Sequence, residues 1–172
     1  MNKMEKEHKN KGFTLLEVML AIFIITSGVI GVFTTIFYIN NLMAVSSSKL
    51  TAIYLAQEGL EIVRNIRDTN RIKGQEWTQG LTTMGCEYGC EGDYNTTEGL
   101  TAFNPDGRYL YIDEGGGVYG YQEYTRITNF KRKITIYPPV AELDPMQVYV
   151  SVYWSYKNNN YQVNAAEMLY KD

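Results

Sequence analysis

Histidine and cysteine are nearly absent from this 172-residue chain, which has one histidine, His8, and two cysteines, Cys86 and Cys90. Two thiols cannot complete a tetrahedral zinc site, and a single histidine among the first residues leaves no base to pair with a nucleophile elsewhere. Positive charge is not in excess either: 16 Lys+Arg stand against 19 Asp+Glu, a net charge of -3. That balance excludes a protein drawn to nucleic acid by overall charge. The cluster Lys131, Arg132 and Lys133 is split across two faces by strand alternation, and no glycine-rich phosphate loop is present. Charge of either sign is missing altogether from the 31 positions between Glu17 and Lys49.

That gap holds the strongest signal. Residues 18–39 read VMLAIFIITSGVIGVFTTIFYI, and at about 1.5 Å per residue such a helix crosses a hydrocarbon core of about 30 Å. Lys3, Lys6, Lys9 and Lys11 precede it, and no Lys or Arg follows until Lys49. The positive-inside rule therefore puts the N-terminus in the cytoplasm and everything after Ile39 on the exported side. A cleaved secretory signal would have a shorter apolar core, about 7 to 15 residues, with a small-residue site after it. Ile39-Asn40-Asn41-Leu42 supplies no such site.

At the edge of the run stands Glu17, four residues after Phe13. An unpaired carboxylate in the hydrocarbon costs about 2.5 kcal/mol or more, so its presence there marks a function or a partner. The stretch Lys11-Gly12-Phe13-Thr14-Leu15-Leu16-Glu17-Val18 resembles the N-terminal signal of type IV prepilins and type II secretion pseudopilins. The resemblance implies cleavage after Gly12 by a prepilin peptidase on the cytoplasmic face and N-methylation of Phe13. It also implies an assembly contact in which Glu17 meets the terminal amine of a neighbouring subunit, since a buried carboxylate is tolerated when paired. The chain would then be a substrate of these enzymes and not itself an enzyme, with no cofactor. Its partners would be other pilin subunits, the peptidase and methyltransferase, and a membrane crossed once before assembly into an extracellular or periplasmic filament.

Beyond the apolar run, proline and glycine are absent from residues 42–58. Ala52, Leu55, Ala56, Gly59, Ile62, Val63 and Ile66 recur at three- and four-residue spacing, one apolar helix face. The expected organisation is a leader at 1–12, a transmembrane or filament-core helix at 13–40, an amphipathic helix at 41–68, and an exported loop and sheet domain at 69–172. Gly28 and Gly31 admit two readings, close approach of a neighbouring helix or a segment that unwinds locally on packing. LAQEGLEIVRNIRD, residues 55–68, further resembles the minor pilins called PilV and the related I-type pseudopilins.

The remainder alternates with period two. Residues 109–112 and 118–124 flank a glycine-rich turn and read as a hairpin. Phe130, Arg132, Ile134 and Ile136 share one strand face, and Val148, Val150, Val152 and Trp154 another. Residues 157–160 then lead into a last strand from Tyr161. Residues 69–104 read as an irregular loop anchored by Trp77. The expected fold is α+β: a long N-terminal helix, membrane-spanning then amphipathic, packed on an antiparallel sheet of four or five strands.

Candidate chemistry in the exported part is sparse. Cys86 and Cys90 suit a small-loop disulfide under oxidising conditions, with free thiols the alternative. No resident metal is expected; Glu91, Asp93, Asn95 and Glu98 form a faint calcium-loop pattern that lacks most of the EF-hand spacing. Thirteen of the fifteen tyrosines follow Cys86. They suit either the outer face of a sheet that packs on neighbouring subunits or a binding surface for sugar or protein. Three functions remain: a structural subunit of a type IV pilus, a secretion or competence pseudopilus subunit, and a filament-tip adhesin or DNA-uptake module.

Overall fold

Residues 15 to 72 form one helix, α1 (Leu15–Ile72), in a computed structural model that describes residues 12–82, 85–97, 99–104, 107–113, 115–123, 126–141 and 143–171. Residues 1–11, which include four lysines and His8, lie outside the described residues. The chain divides into two compact units, one ending at Ala44 and one spanning Val45–Asp172.

In the first unit every described residue up to Leu42 is exposed, and Phe23, Ile25, Phe33 and Phe37 are all more than half exposed. Length and composition make this stretch able to cross a membrane. Four of its hydroxyls are satisfied within the helix. Thr26 donates to the Ile22 carbonyl at 2.8 Å, Ser27 to Ile24 at 2.9 Å, and Thr34 and Thr35 both to Gly31, at 2.8 and 3.0 Å. A helix in lipid requires such internal pairing, because no water is there to replace it.

The second unit is a helix on a sheet. Ala52, Leu55, Ala56, Ile62, Val63 and Ile66 from α1 are buried in one apolar cluster with Ile134, Ile136, Val148, Val150 and Val152. The strands are β1 (Cys90–Glu91), β2 (Thr101–Ala102), β3 (Tyr111–Asp113), β4 (Val118–Gly120), β5 (Arg126–Ile127), β6 (Lys131–Tyr137), β7 (Met146–Tyr156) and β8 (Asn159–Leu169). One sheet has the order β2-β1-β6-β7-β8 and a smaller one β4-β3-β5, and every pairing is antiparallel. The architecture is α+β, as the periodicities predict. Ile134 faces Val150 and Ile136 faces Val148 across β6 and β7, so the two aliphatic stripes coincide on the helix side. Gly59 lets α1 come close: a Cβ there would lie 2.7 Å from Val150 Cγ1. Even one methyl group therefore does not fit without moving a stiff β-branched side chain.

Four details depart from the expectation. The hairpin of β3 and β4 does not join the main sheet; with β5 it makes the second one. Two short strands, β1 and β2, lie inside the segment expected to be irregular. The β7–β8 turn needs only Lys157 and Asn158, both at positive φ (48° and 63°), so β8 begins at Asn159. Finally, α1 runs to Ile72, past Asp68. Asn70 is buried and donates to the Gln79 carbonyl at 2.8 Å. Gly74, at φ 68°, then ends the helix while Gln75 N–H donates to Asn70 O and Gly74 N–H to Arg71 O. Those paired bonds are a Schellman stop, which a left-handed glycine makes possible.

Candidate functional site

The start of α1 is built by Thr14. Its hydroxyl accepts from the Glu17 backbone N–H at 3.3 Å and its carbonyl from Glu17 and Val18 at 3.1 and 3.2 Å. Thr14 is thus an N-cap with Glu17 three residues on, the Thr-x-x-Glu order of a capping box. The carboxylate of Glu17 has no hydrogen-bond or ion-pair partner among the described residues, and it sits in the first turn, where the helix dipole favours a negative charge. Phe13 is 81% exposed and Gly12 is exposed beside it, so the expected cut and its new terminus are accessible.

Further along, α1 remains regular through Gly28 and Gly31. A Cβ at either would meet nothing within 4 Å. At Gly28 the missing side chain leaves a shallow apolar groove between Ile24, Ile25, Val32 and Phe33. An open notch of this kind is the shape that lets another helix approach closely.

In the second unit, Cys86 and Cys90 form a disulfide, and both are buried. The loop they close is fixed to the sheet, because Cys90 pairs with Ile134 and the Cys86 carbonyl accepts from Ile136 N–H at 3.0 Å. Tyr88 projects from its tip, 80% exposed.

Of the faint calcium pattern, Glu98 lies outside the described residues. Glu91 is buried and bonded to Arg108 at 2.7 Å. Asp93 accepts from Asn95 N–H at 3.1 Å and Thr96 Oγ1 at 3.2 Å through one oxygen, and from Tyr121 N–H at 3.0 Å through the other. Asn95 is exposed. The two carboxylates are therefore engaged in tying the loop to its surroundings, and no group of three or more His, Cys, Asp or Glu among the described residues is placed to hold a metal.

The residue with the largest unforeseen role is Arg132. It is fully buried in β6, donating to the Leu55 carbonyl of α1 at 3.1 Å and the Gly92 carbonyl at 2.7 Å. Glu58 Oε1 lies 3.3 Å from Arg132 Nη1, an ion pair without hydrogen-bond geometry, and among the described residues neither that oxygen nor Arg132 Nε has a hydrogen-bond partner. Alternation had placed Arg132 on the face shared by Phe130, Ile134 and Ile136, and that position was the signal for a buried cation. Tyr121 seals the same corner, its hydroxyl donating to the Arg132 carbonyl at 3.1 Å and its ring lying 4.6 Å from the Arg108 guanidinium. Burial, more than any neighbour, pushes the Tyr121 phenol up to about 12. On the helix, Arg64 bonds Glu167 of β8 at 2.7 Å and also pairs with Glu61. The bond to Glu167, ahead of other causes, raises the Arg64 pKa.

The chain thus begins its described part with an exposed apolar helix capped by Thr14, carrying the Glu17 carboxylate one turn after Phe13. Residues 8–33 match a family model described as the prokaryotic N-terminal methylation motif. No curated protein and no solved structure matches the chain.

Proposed function

We propose that this chain is a pilin-like structural subunit, inserted once in the cytoplasmic membrane, trimmed after Gly12, methylated on Phe13 and assembled through its N-terminal helix into a type IV pilus. The observation that carries this reading is the uninterrupted Gly12-Phe13-Thr14-Leu15-Leu16-Glu17 pattern, within the matched residues 8–33, at the head of a helix that is apolar and exposed as far as Leu42. In this reading 1–12 is a discarded leader and 13–40 the membrane and filament-core segment. Residues 41–68 carry the exported domain at 69–172. The LAQEGLEIVRNIRD segment favours a minor subunit of the PilV type. Its likeness to I-type pseudopilins supports the second reading, a subunit of a secretion or competence pseudopilus.

Mass spectrometry of the protein from cells with and without the prepilin peptidase tests the proposal. The expected product starts at a methylated Phe13 only when the peptidase is present. An intact N-terminus in both strains would reduce the segment to a plain membrane anchor.

A further inference from the structure

At the β7–β8 hairpin end of the main sheet lies a cleft of about 300 Å³, at the small end of the range of ligand sites. Its lining has an unusual chemistry. Tyr109 and Tyr153 supply ring surface, and Asn129, Ser155 and Asn160 supply neutral polar groups, while Trp154 and Tyr161, paired on the opposite face of the strands, border the cleft. The remaining lining residue, Lys131, brings one positive charge. Among the described residues, neither an aliphatic side chain nor a carboxylate lines the cleft.

The walls are held in place from several directions. Tyr153 faces Lys131, and Ser155 faces Asn160, across the strand pairs. On the other face of these strands, Tyr161 stacks on Trp154 with centroids 5.5 Å apart. Asn129 Nδ2 donates to the Ser155 carbonyl at 2.8 Å. Thr128 Oγ1 donates to the Leu110 carbonyl at 2.6 Å, and Leu110 N–H to Phe130 O at 2.9 Å, which fixes Tyr109 beside Lys131, the ammonium 4.4 Å from the ring centroid. Among the described residues, the hydroxyls of Tyr109, Tyr153 and Ser155 and the amide of Asn160 make no hydrogen bond within the chain.

We infer that this cleft binds a pyranose unit of a glycan. A sugar ring offers what the lining matches: a C–H face for aromatic rings and hydroxyls that both donate and accept, as tyrosine, serine and asparagine side chains do. An apolar peptide side chain would call for aliphatic walls, and a polyanion such as nucleic acid would call for several cations where the described lining has one. The inference does not depend on filament assembly, because the cleft lies far along the chain from Phe13 and Glu17.

The test uses the full chain in detergent on an array of oligosaccharides of glucose, galactose, N-acetylglucosamine and sialic acid, with single-stranded oligothymidine as a parallel probe. Retention of at least one sugar is expected, with affinity reduced about tenfold or more by Tyr153→Ala and by Asn160→Ala. Tyr149→Ala, an exposed tyrosine of β7 outside the cleft, should bind like the parent. Melting curves matching the parent establish that each variant is folded. Failure to retain any sugar, retention indifferent to both cleft variants, or oligothymidine binding lost with Tyr153→Ala would each overturn the inference. Processing at Phe13 is read separately, so either proposal can fail alone.

Discussion

Tyr121 shows how a single buried side chain ties stability to pH. Its phenol is pushed up to about 12 from 10.0 because burial disfavours the charged form. The unfolded chain releases that proton near its ordinary value, so the fold's preference for the neutral phenol is fully present below about pH 10 and is lost as pH rises toward about 12. A shift of that size is worth on the order of 3 kcal/mol. Denaturant midpoints measured from pH 8 upward should therefore fall across that window, and Tyr121→Phe should flatten the fall. The same variant should lose about 1 kcal/mol at neutral pH, because the hydrogen bond to the Arg132 carbonyl is gone. A parallel fall in the variant would assign the pH dependence to other groups. Arg132 belongs to the same corner, and its burial is tolerable because two carbonyls and Glu58 surround the guanidinium.

Among the elements, the β7–β8 hairpin and α1 show how local chemistry and packing divide the work. Lys157 and Asn158 both lie in the left-handed region, the geometry of a two-residue turn whose twist matches the strands it joins. Asparagine tolerates that conformation and lysine does so less readily. Replacing the pair by Asn-Gly should raise stability by about 1 kcal/mol, seen as a higher melting temperature. An unchanged or lower value would mean that the Lys157 side chain holds the turn. Alternation in the sequence was enough to find β6, β7 and β8, because β6 and β7 bury one face and β8 half-buries one. It was not enough for β1 and β2, which span two residues each and carry no period. Nor did it assign the β3–β4 hairpin to its own sheet, since strand patterning records which face is buried and not which neighbour pairs. The last turn of α1 was hidden by its polar composition: Asn70 reads as loop until Trp77 and Gln79 provide carbonyls for its amide.

For the whole molecule, the division into a unit ending at Ala44 and a unit from Val45 matches two different demands on one helix. The first unit keeps its apolar side chains exposed, so they must be covered by lipid or by other chains. The second buries its apolar face in its own sheet. Glu17→Ala should leave membrane insertion intact, since it removes a charge from the edge of the apolar run. It should block incorporation into filaments, measured by the fraction of subunit in sheared material. Normal incorporation would remove the proposed contact between Glu17 and a neighbouring Phe13. If the leader is removed, four lysines and two glutamates go with it, and the formal charge moves from -3 to -5.

The amino-acid sequence alone determined the membrane-length run, the Gly12–Phe13–Glu17 signal, the helix face from Ala52 to Ile66 and the alternation of the three long strands. Each is a matter of order along the chain, where spacing and charge act over a few residues. Only the tertiary structure decided that Arg132 bonds carbonyls of Leu55 and Gly92, that Glu91 and Asp93 hold the fold together, and that Tyr109, Lys131, Tyr153 and Asn160 share a cleft. Those groupings join residues tens of positions apart, and their energies depend on burial and partner geometry that exist only once the helix and the sheets have packed.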